Sequence, residues 1–461
     1  MRIRTFMPVA IATAALAAGI PAPLASAETV PAPAVTTGAV FNDPTSTDPA
    51  QRNAIFDHLA ALIDGAVPGS DIKISLYIFM AVATTEQQYS SVPLAQRLVA
   101  AHQRGVNVQV LLDNAQVRLD AESAGKWNTS YVELLKLADK RPDGTNGNSW
   151  VRVCRKDQAC LAARPAAWNV EPYLSYHGVN HNKFFLFSRT TGRGTVPVDN
   201  VVVQSSGNLS TDDRKSFWND ALTVAGNAEL YKGYDAYFTK QVEAEADPTK
   251  RLTDVLMDKQ AGRAKAYFFP RQTSGPGGEP DDVILNILNT VDNPVPGHPI
   301  CHGNSPGTGL NGRTVIRIAQ GGITRPEVAK KLYELDKAGC YVDLVYGYAD
   351  SESLSSLQKA EPPYYGVTLH KLHSTEGVGT TTHTKYMIIE GAYKGIPDQK
   401  IVFTGSHTYT KSALIGNDEA LLKWDDSTVG TTPHTPTVFE AYRENFRTQR
   451  AAADAQSAQQ P

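Results

Sequence analysis

Apolar positions in this chain fall into short strand-like runs separated by helical patterns, and the same series occurs twice. Val40-Phe41 leads into Asn42-Asp43-Pro44, and a helix pattern spans about Gln51–Gly65. After a Pro68-Gly69 turn, alternating apolar positions over Ile72–Phe79 predict a strand. A helix follows from about Val92 to Arg104, stopped by Gly105, and then a strand over Val106–Leu112. The second series runs through Ala266–Pro270, a helix near Asp281–Val291 and a strand over Thr314–Ala319. It continues with a helix from about Arg325 to Ala338, stopped by Gly339, and a strand over Tyr341–Tyr346. Strand, helix, glycine stop, strand in a repeated order predicts a βαβ unit in each half, with a right-handed crossover. The expected fold is α/β, with two similar halves, each a mixed or parallel sheet flanked by helices.

The flanks read differently. Arg2 and Arg4 precede the apolar run Val9–Ile20 and the small-residue triplet Ala25-Ser26-Ala27, the pattern of a secretory signal peptide over residues 1–27. No later stretch reaches about 18 uninterrupted apolar residues, so no membrane span is expected after it. Residues 28–38 read as a flexible leader, 39–250 and 251–450 as the two halves, and the Ala/Gln-rich 451–461 as a disordered tail. Four cysteines suit the oxidising compartment that secretion implies. Local pairing predicts Cys154–Cys160 and Cys301–Cys340, one of three possible connectivities, and the spacings match no zinc site.

Composition narrows the function classes. The 461 residues are 41% hydrophobic and 20% charged, which excludes disorder, collagen-like structure and a coiled coil as descriptions of the whole. The formal charge is −3; without residues 1–27, which hold two arginines and no acid, 42 Lys+Arg face 47 Asp+Glu, giving −5. That balance argues against a generally basic nucleic-acid binder and leaves room only for a local basic groove.

Several motifs fail their context. Gly303-Asn304-Ser305-Pro306-Gly307 spells a nucleophile elbow, but no strand precedes it and Pro306 stands where a helix should begin. Gly307–Gly312 spells a dinucleotide fingerprint followed by a strand instead of a helix. His177 and His181 are four apart, but the segment reads as loop entering strand, so a metal pair is not expected and His177 is assigned either a structural role or one of supporting the site residues.

One arrangement passes, and it is duplicated. His181-Asn182-Lys183 opens the apolar run Phe184–Phe187, and Val201–Val203 ends in Gln204-Ser205-Ser206-Gly207-Asn208. His383-Thr384-Lys385 opens Tyr386–Ile389, and Ile401–Phe403 ends in Thr404-Gly405-Ser406-His407-Thr408. Period two puts each His and Lys on one side of its strand. Ammonium, hydroxyl and amide donors suit a phosphate, and imidazole serves as nucleophile or general acid near neutral pH. Two such half-sites around one phosphorus give in-line displacement, with lysines supplying the positive charge and no cofactor or metal needed. Tyr77, Phe79, Phe184, Phe185 and Phe187 are candidates for a pocket wall, with core packing expected for most.

Over about residues 39–450 the sequence resembles the phospholipase D superfamily, marked by His-x-Lys-x4-Asp followed by Gly-Ser-x-Asn, usually twice per chain. The resemblance implies one active site between two packed halves, His181 and His383 as the catalytic pair, and Lys183 and Lys385 on phosphate oxygens. It also implies Ser206, Asn208, Ser406 and Thr408 as substrate-binding residues. Family members carry a carboxylate about eleven residues after the Asn that pairs with a catalytic imidazole, and Asp220 and Glu419 are assigned to those places. The resemblance further implies His181 as nucleophile and His383 as general acid, kept protonated by Glu419. Four departures stand out: Ser188 and Glu390 replace the motif Asp residues, Ser205 the first Gly, and Thr408 the second Asn.

The expected protein is a secreted, monomeric, metal-independent phosphodiesterase that cleaves a phospholipid head-group ester during transient contact with a membrane surface. The alternatives are a nuclease of the same superfamily, with DNA or RNA as partner, and an inactive exported phosphate-binding protein.

Overall fold

The computed structural model describes residues 35–82, 89–114, 128–155, 158–162, 178–250, 258–271, 280–291, 295, 297, 299–305, 310–363, 366–374, 379–428 and 436–459. The signal pattern, most of the leader and His177 lie outside these residues.

The first half contributes β1 (Gly38–Phe41), β2 (Asp71–Leu76), β3 (Asn107–Leu112), β4 (Trp150–Val153), β5 (Lys183–Thr190), β6 (Val198–Ser205), β7 (Phe217–Trp218) and β8 (Asp220–Val224). The second contributes β9 (Lys259–Ala261), β10 (Ala264–Phe269), β11 (Val315–Ile323), β12 (Tyr341–Ala349), β13 (Thr368–Lys371), β14 (Thr381–Thr382), β15 (Lys385–Tyr393), β16 (Ile396–Gly405) and β17 (Glu419–Asp425). One sheet has the order β1-β8-β6-β5-β2-β3-β4, and the other repeats it as β10-β17-β16-β15-β11-β12-β13, with β9 added outside β10. In each, three neighbouring strands are parallel and the rest antiparallel. Both sheets are therefore mixed.

The repeated units form as the apolar pattern requires. Helices Val92–Gln103 and Pro326–Lys337 connect the parallel pairs β2/β3 and β11/β12. Gly105 and Gly339 stop them at φ +98° and +109°, where a Cβ would be strained. Along β5, Phe184 and Leu186 point into a core shared by both halves, whereas Phe185 and Phe187 point to the outer core of the first half. On β15, Tyr386 and Ile388 enter the shared core and Met387 and Ile389 the outer core of the second. Burial of each such side chain contributes roughly 1.5–3 kcal/mol, which anchors the strand starts that carry the two lysines. Phe79, Phe184, Phe185 and Phe187 are thus core residues, and Tyr77 alone of the candidate wall aromatics lines the main cavity.

Two helices stitch the halves together. Ala228–Ala246 follows the first sheet yet packs against β9 and β10 of the second; Val438–Ser457 follows the second yet touches β1. The hydroxyl of Tyr237 donates to the Phe269 carbonyl at 2.7 Å and accepts from Asn182 Nδ2 at 3.2 Å. The expected disordered tail is corrected here: residues 451–457 continue the last helix, with Ala453 buried. Alanine and glutamine favour helix once one face has something to pack on. Both disulfides, Cys154–Cys160 and Cys301–Cys340, are formed as expected.

Candidate active site

Each His-x-Lys begins its strand at the seam between the halves. The His181 N–H donates to the Asp418 carbonyl and the His383 N–H to the Trp218 carbonyl, both at 2.9 Å. These bonds belong to short parallel contacts, Asn180 with Asp418 and β7 with β14, that cross from one half to the other. Lys183 and Lys385 are fully buried, and each ammonium donates to the carbonyl of its own histidine, Lys183 at 2.7 Å. Lys385 also reaches the Ser206 carbonyl of the other half at 3.5 Å.

The side chains cross the seam as well. Nδ1 of His181 lies 2.8 and 2.9 Å from the two carboxylate oxygens of Glu419. Nδ1 of His383 lies 2.9 Å from Asn219 Oδ1 and 3.3 Å from Asp213 Oδ1. The Asn219 Nδ2 faces the Asp213 and Phe217 carbonyls, which assigns Oδ1 to the imidazole side. Only oxygen acceptors face both Nδ1 atoms, so each ring carries its proton there and leaves Nε2 as a free base.

Two carboxylate assignments are corrected by this geometry. Glu419 partners His181, not His383. Asp220 contacts neither imidazole; its carboxylate accepts from Thr404 and from the Tyr442 hydroxyl at 2.7 Å, inside the shared core. The counterpart of Glu419 is Asn219, thirteen residues after Ser206 as Glu419 is after Ser406. The hydrogen bonds agree: Ser206 Oγ accepts from the Asp220 N–H as Ser406 Oγ accepts from the Ala420 N–H.

The serines and Asn208 are also placed differently from expectation. Ser206 and Ser406 are fully buried behind the histidines, where they lock strand ends together, and Ser206 donates to Asn219 Oδ1 at 3.2 Å. Asn208 donates its backbone N–H to Asp213 and lines a small pocket with Asn42 and Phe56, apart from the main cavity. Thr408 does line the main cavity.

Sequence reasoning missed Asp213, Asn219 and Asn417. Asp213 was hidden inside a helix-capping pattern: Ser210 caps the turn Thr211–Lys215, accepting from the Asp213 N–H and donating to its carboxylate at 2.5 Å. Asn417 donates to Glu419 at 3.4 Å. Equal spacing from the two motif serines was the available signal for Asn219. Of the departures, Ser188 accepts from the Asp71 N–H at 2.8 Å, and Glu390 pairs with Arg317 and Arg443. Ser305 of the false nucleophile elbow bonds to Asp398 in a loop.

Burial dominates the electrostatics. It lowers Lys183 to about 7, aided by Lys385, and lowers Lys385 to about 8. His181 falls well below the ordinary imidazole value through burial and the two lysines, while burial lifts Glu419 to about 8. The ring at this corner is a neutral imidazole, its Nδ1 proton directed at Glu419. Burial and Lys385 lower His383 to about 3, with Asp213 opposing them. Burial pushes Asp213 up, but its bond to His383, the imidazole charge and the Ser210 and Asn208 donors outweigh it and hold the carboxylate below its usual range. An anion entering between the lysines reverses the penalties on both ammonium groups.

A cavity of about 640 Å³ opens here, lined by His181, His383 and Lys385 from both halves, with Tyr77 and Phe217 as walls. Their rings lie 5.1 Å from those of His181 and His383 respectively. Lys183 Nζ sits 5.2 Å from the Tyr77 ring centroid.

Comparison with known proteins agrees with this architecture. A family model described as "Cardiolipin synthase, PLD-like domain" matches residues 59–242 and 311–448, one stretch per half. No curated protein matches the chain in sequence. Among solved structures, phosphatidylserine synthase from Haemophilus influenzae is similar with a TM-score of 0.51 at 12% identity, over 89% of this chain and 85% of that one. A polyphosphate kinase from Porphyromonas gingivalis gives 0.49 at 15% identity over 90% of this chain, which spans only half of that protein's length. The phospholipase D family member Nuc from Salmonella typhimurium gives 0.26 at 18% identity, over 41% of this chain and 94% of that one.

Proposed function

The chain belongs to the phospholipase D superfamily, whose members process phosphodiesters, and we propose that it is an exported phosphodiesterase that hydrolyses the head-group ester of a phospholipid. The observation that carries this reading is a single cavity lined by both histidines and Lys385, with Lys183 buried beside its Tyr77 wall and each imidazole tied to a partner from the other half. Nε2 of His181 attacks phosphorus and the bond to the leaving alcohol breaks. The leaving oxygen keeps the bond pair and takes the Nε2 proton of His383, which that ring takes up when the diester's charge joins that of Asp213. Water then attacks phosphorus and passes a proton to His383 as the phosphorus–nitrogen bond breaks, which restores both imidazoles. Lys183 and Lys385 hold the anionic oxygens throughout, so the expected reaction needs no metal.

Three observations favour lipid over nucleic acid. Lys385 is the only lysine or arginine among the described residues lining the cavity, its walls are aromatic and hydroxyl-bearing, and the chain has more acidic than basic residues. A polyanion gains affinity chiefly from many Lys and Arg contacts. Export is supported by the pattern of residues 1–27 and by the two disulfides. Both His–Lys pairs come from one chain, which suits a monomer. Among the described residues no helix is long and apolar enough to cross a membrane. A phospholipid substrate is met during transient contact with a membrane surface. The test is incubation of the processed protein in chelator with phospholipid vesicles and, separately, with plasmid DNA. Released head group is expected; nicked plasmid makes it a nuclease, and inertness toward both makes it a binding protein.

A further inference from the structure

Seven strands of one sheet match seven of the other in order, so the places where the matched strands differ report on what the site receives. Phe79 bridges Leu209 in the first half as Ile323 bridges Tyr409 in the second. This register pairs Tyr77 and Ile78 with Gly321 and Gly322. The Tyr77 ring fills the space beside His181 and Lys183; beside Lys385 the equivalent space is empty of side chain. Neither glycine has a positive φ. A Cβ on Gly321 meets nothing nearer than 3.5 Å, and one on Gly322 only Thr410 Cγ2 at 3.9 Å. Backbone strain and packing do not demand glycine at either position. What the pair leaves is volume, and it opens on the side of His383, whose Cα lies 3.7 Å from that Gly321 Cβ position. That is the side from which the leaving alcohol departs.

The floor of this volume differs too. Thr408 stands where the first half has Asn208, Thr410 where it has Ser210, and Ala413 where it has Asp213. In the first half the Ser210 hydroxyl is consumed by the Asp213 carboxylate. In the second no carboxylate takes that place, and Thr408, Thr410 and Ser412 form a hydroxyl chain with links of 3.1 Å. All three line the main cavity. Two of their three donors are used within the chain, and one lone pair of Thr410 accepts from the Ala413 N–H. One donor and several lone pairs remain for a ligand. No Asp or Glu lines the cavity among the described residues, so an ammonium head group meets Lys385 without a counter-charge. A second phosphate finds no further cation there.

We propose that Gly321, Gly322 and the Thr408–Thr410–Ser412 chain form a subsite for a neutral polyhydroxyl leaving group, such as glycerol, inositol or a sugar, and set the head-group choice. The subsite rests on the phosphodiesterase reading above. Its hydroxyl chain accepts from the hydroxyls of the polyol and returns its one spare donor, and the glycine pair gives the polyol room beside Lys385.

The test compares kcat/KM for phosphatidylglycerol and phosphatidylcholine vesicles, with soluble glycerophosphoglycerol alongside to separate a membrane-borne polyol from a free one. Wild-type protein is expected to favour the glycerol lipid over the choline lipid at least tenfold. Ser412→Ala, which removes one neutral hydrogen-bonding group, is expected to cut that ratio about tenfold. Gly322→Ile, which copies the first half, is expected to cut it further by filling the volume. Gly322→Ala keeps the ratio test open if the larger residue prevents folding, as read by thermal melting. A wild type that favours choline, or a ratio unmoved in every folded variant, overturns the subsite. Cleavage of the soluble diester but of no vesicle keeps the subsite and overturns the lipid reading, and cleavage of no phosphodiester at all overturns the function itself.

Discussion

Replacing Asp213 with Asn removes one charge and almost no volume, and it separates the two candidate partners of His383. At 3.3 Å from Nδ1, a carboxylate attracts an imidazolium by about 5 kcal/mol at an effective dielectric constant near 20. Part of that is lost in catalysis, because the proton is leaving the ring in the transition state. General acids of this kind contribute about 10²–10⁴-fold. Asp213→Asn is therefore expected to lower kcat by about 10²–10³-fold for an alkyl alcohol leaving group and by less than about tenfold for p-nitrophenol, which departs without a proton. The limb of the pH profile that requires protonated His383 moves to lower pH, since the charge that raises its pKa is gone. The paired control is Asp220→Asn. Asp220 reaches Thr404 and Tyr442 and no imidazole, so its loss is expected to lower the melting temperature without dependence on the leaving group. Steady-state kinetics on a phosphodiester and its nitrophenyl analogue decide the matter. Equal losses on both substrates in Asp213→Asn, or a leaving-group dependence in Asp220→Asn, refute the assignment.

Two further outcomes are expected. His383→Ala forms a covalent phosphoryl adduct from a nitrophenyl phosphodiester and His181→Ala does not, the adduct being acid-labile and base-stable; an adduct mapped to His383 in His181→Ala reverses the two roles. His370 is clamped between Asp343 and Asp454, 3.3 and 2.6 Å away, and the Asp343 bond above all raises its pKa above the ordinary 6.5. The clamp is in full force below about pH 6.5 and is lost as pH rises through that raised value, so melting temperatures recorded on the alkaline side decline in wild-type protein and are flatter in His370→Ala; parallel curves refute the clamp.

The features legible in the sequence were those written locally. Helix stops at Gly105 and Gly339, the order of strands and helices, the Cys154–Cys160 disulfide and each His-x-Lys motif depend on neighbours within a few residues; Cys301–Cys340, 39 residues apart, followed as the pair that was left. The choice between Asn219 and Asp220 does not. Successive side chains of a strand point to opposite faces, so an offset of one residue turns a site residue into a core residue. Asn219 faces His383, while Asp220 turns into the shared core toward Tyr442. Residue type favoured the acid, and residue type was the wrong guide. Asp213 was obscured for a related reason, since Ser-x-x-Asp accounts for itself as a helix cap. Residue 250 falls between the last strand of one sheet, ending at Val224, and the first of the other, starting at Lys259, but the helix Ala228–Ala246 before it packs on strands of the second half. Such partners are set by the assembled fold and have no local signature.

Crossed partners also suit the two similar half-sites to the different roles proposed for them. His181 directs its Nδ1 proton at Glu419, which burial pushes up while Lys183 and Lys385 pull it down, and burial with both lysines keeps this imidazole a neutral base with Nε2 free. His383 instead faces the Asn219 amide and, slightly farther away, Asp213, whose carboxylate is held below its usual range and stays fully ionised. A diester arriving between the lysines brings its own negative charge to both rings, and at His383 it adds to Asp213, whose bond and charge already raise that ring. That ring gains the proton an acid must hold, and His181 keeps the lone pair a nucleophile must offer. The repeat supplies two imidazoles; the exchange of carboxylate for amide at positions 419 and 219, with Asp213 beside the amide, makes them unequal. Either half alone has a histidine without its partner, so the division of labour exists only in the assembled pair.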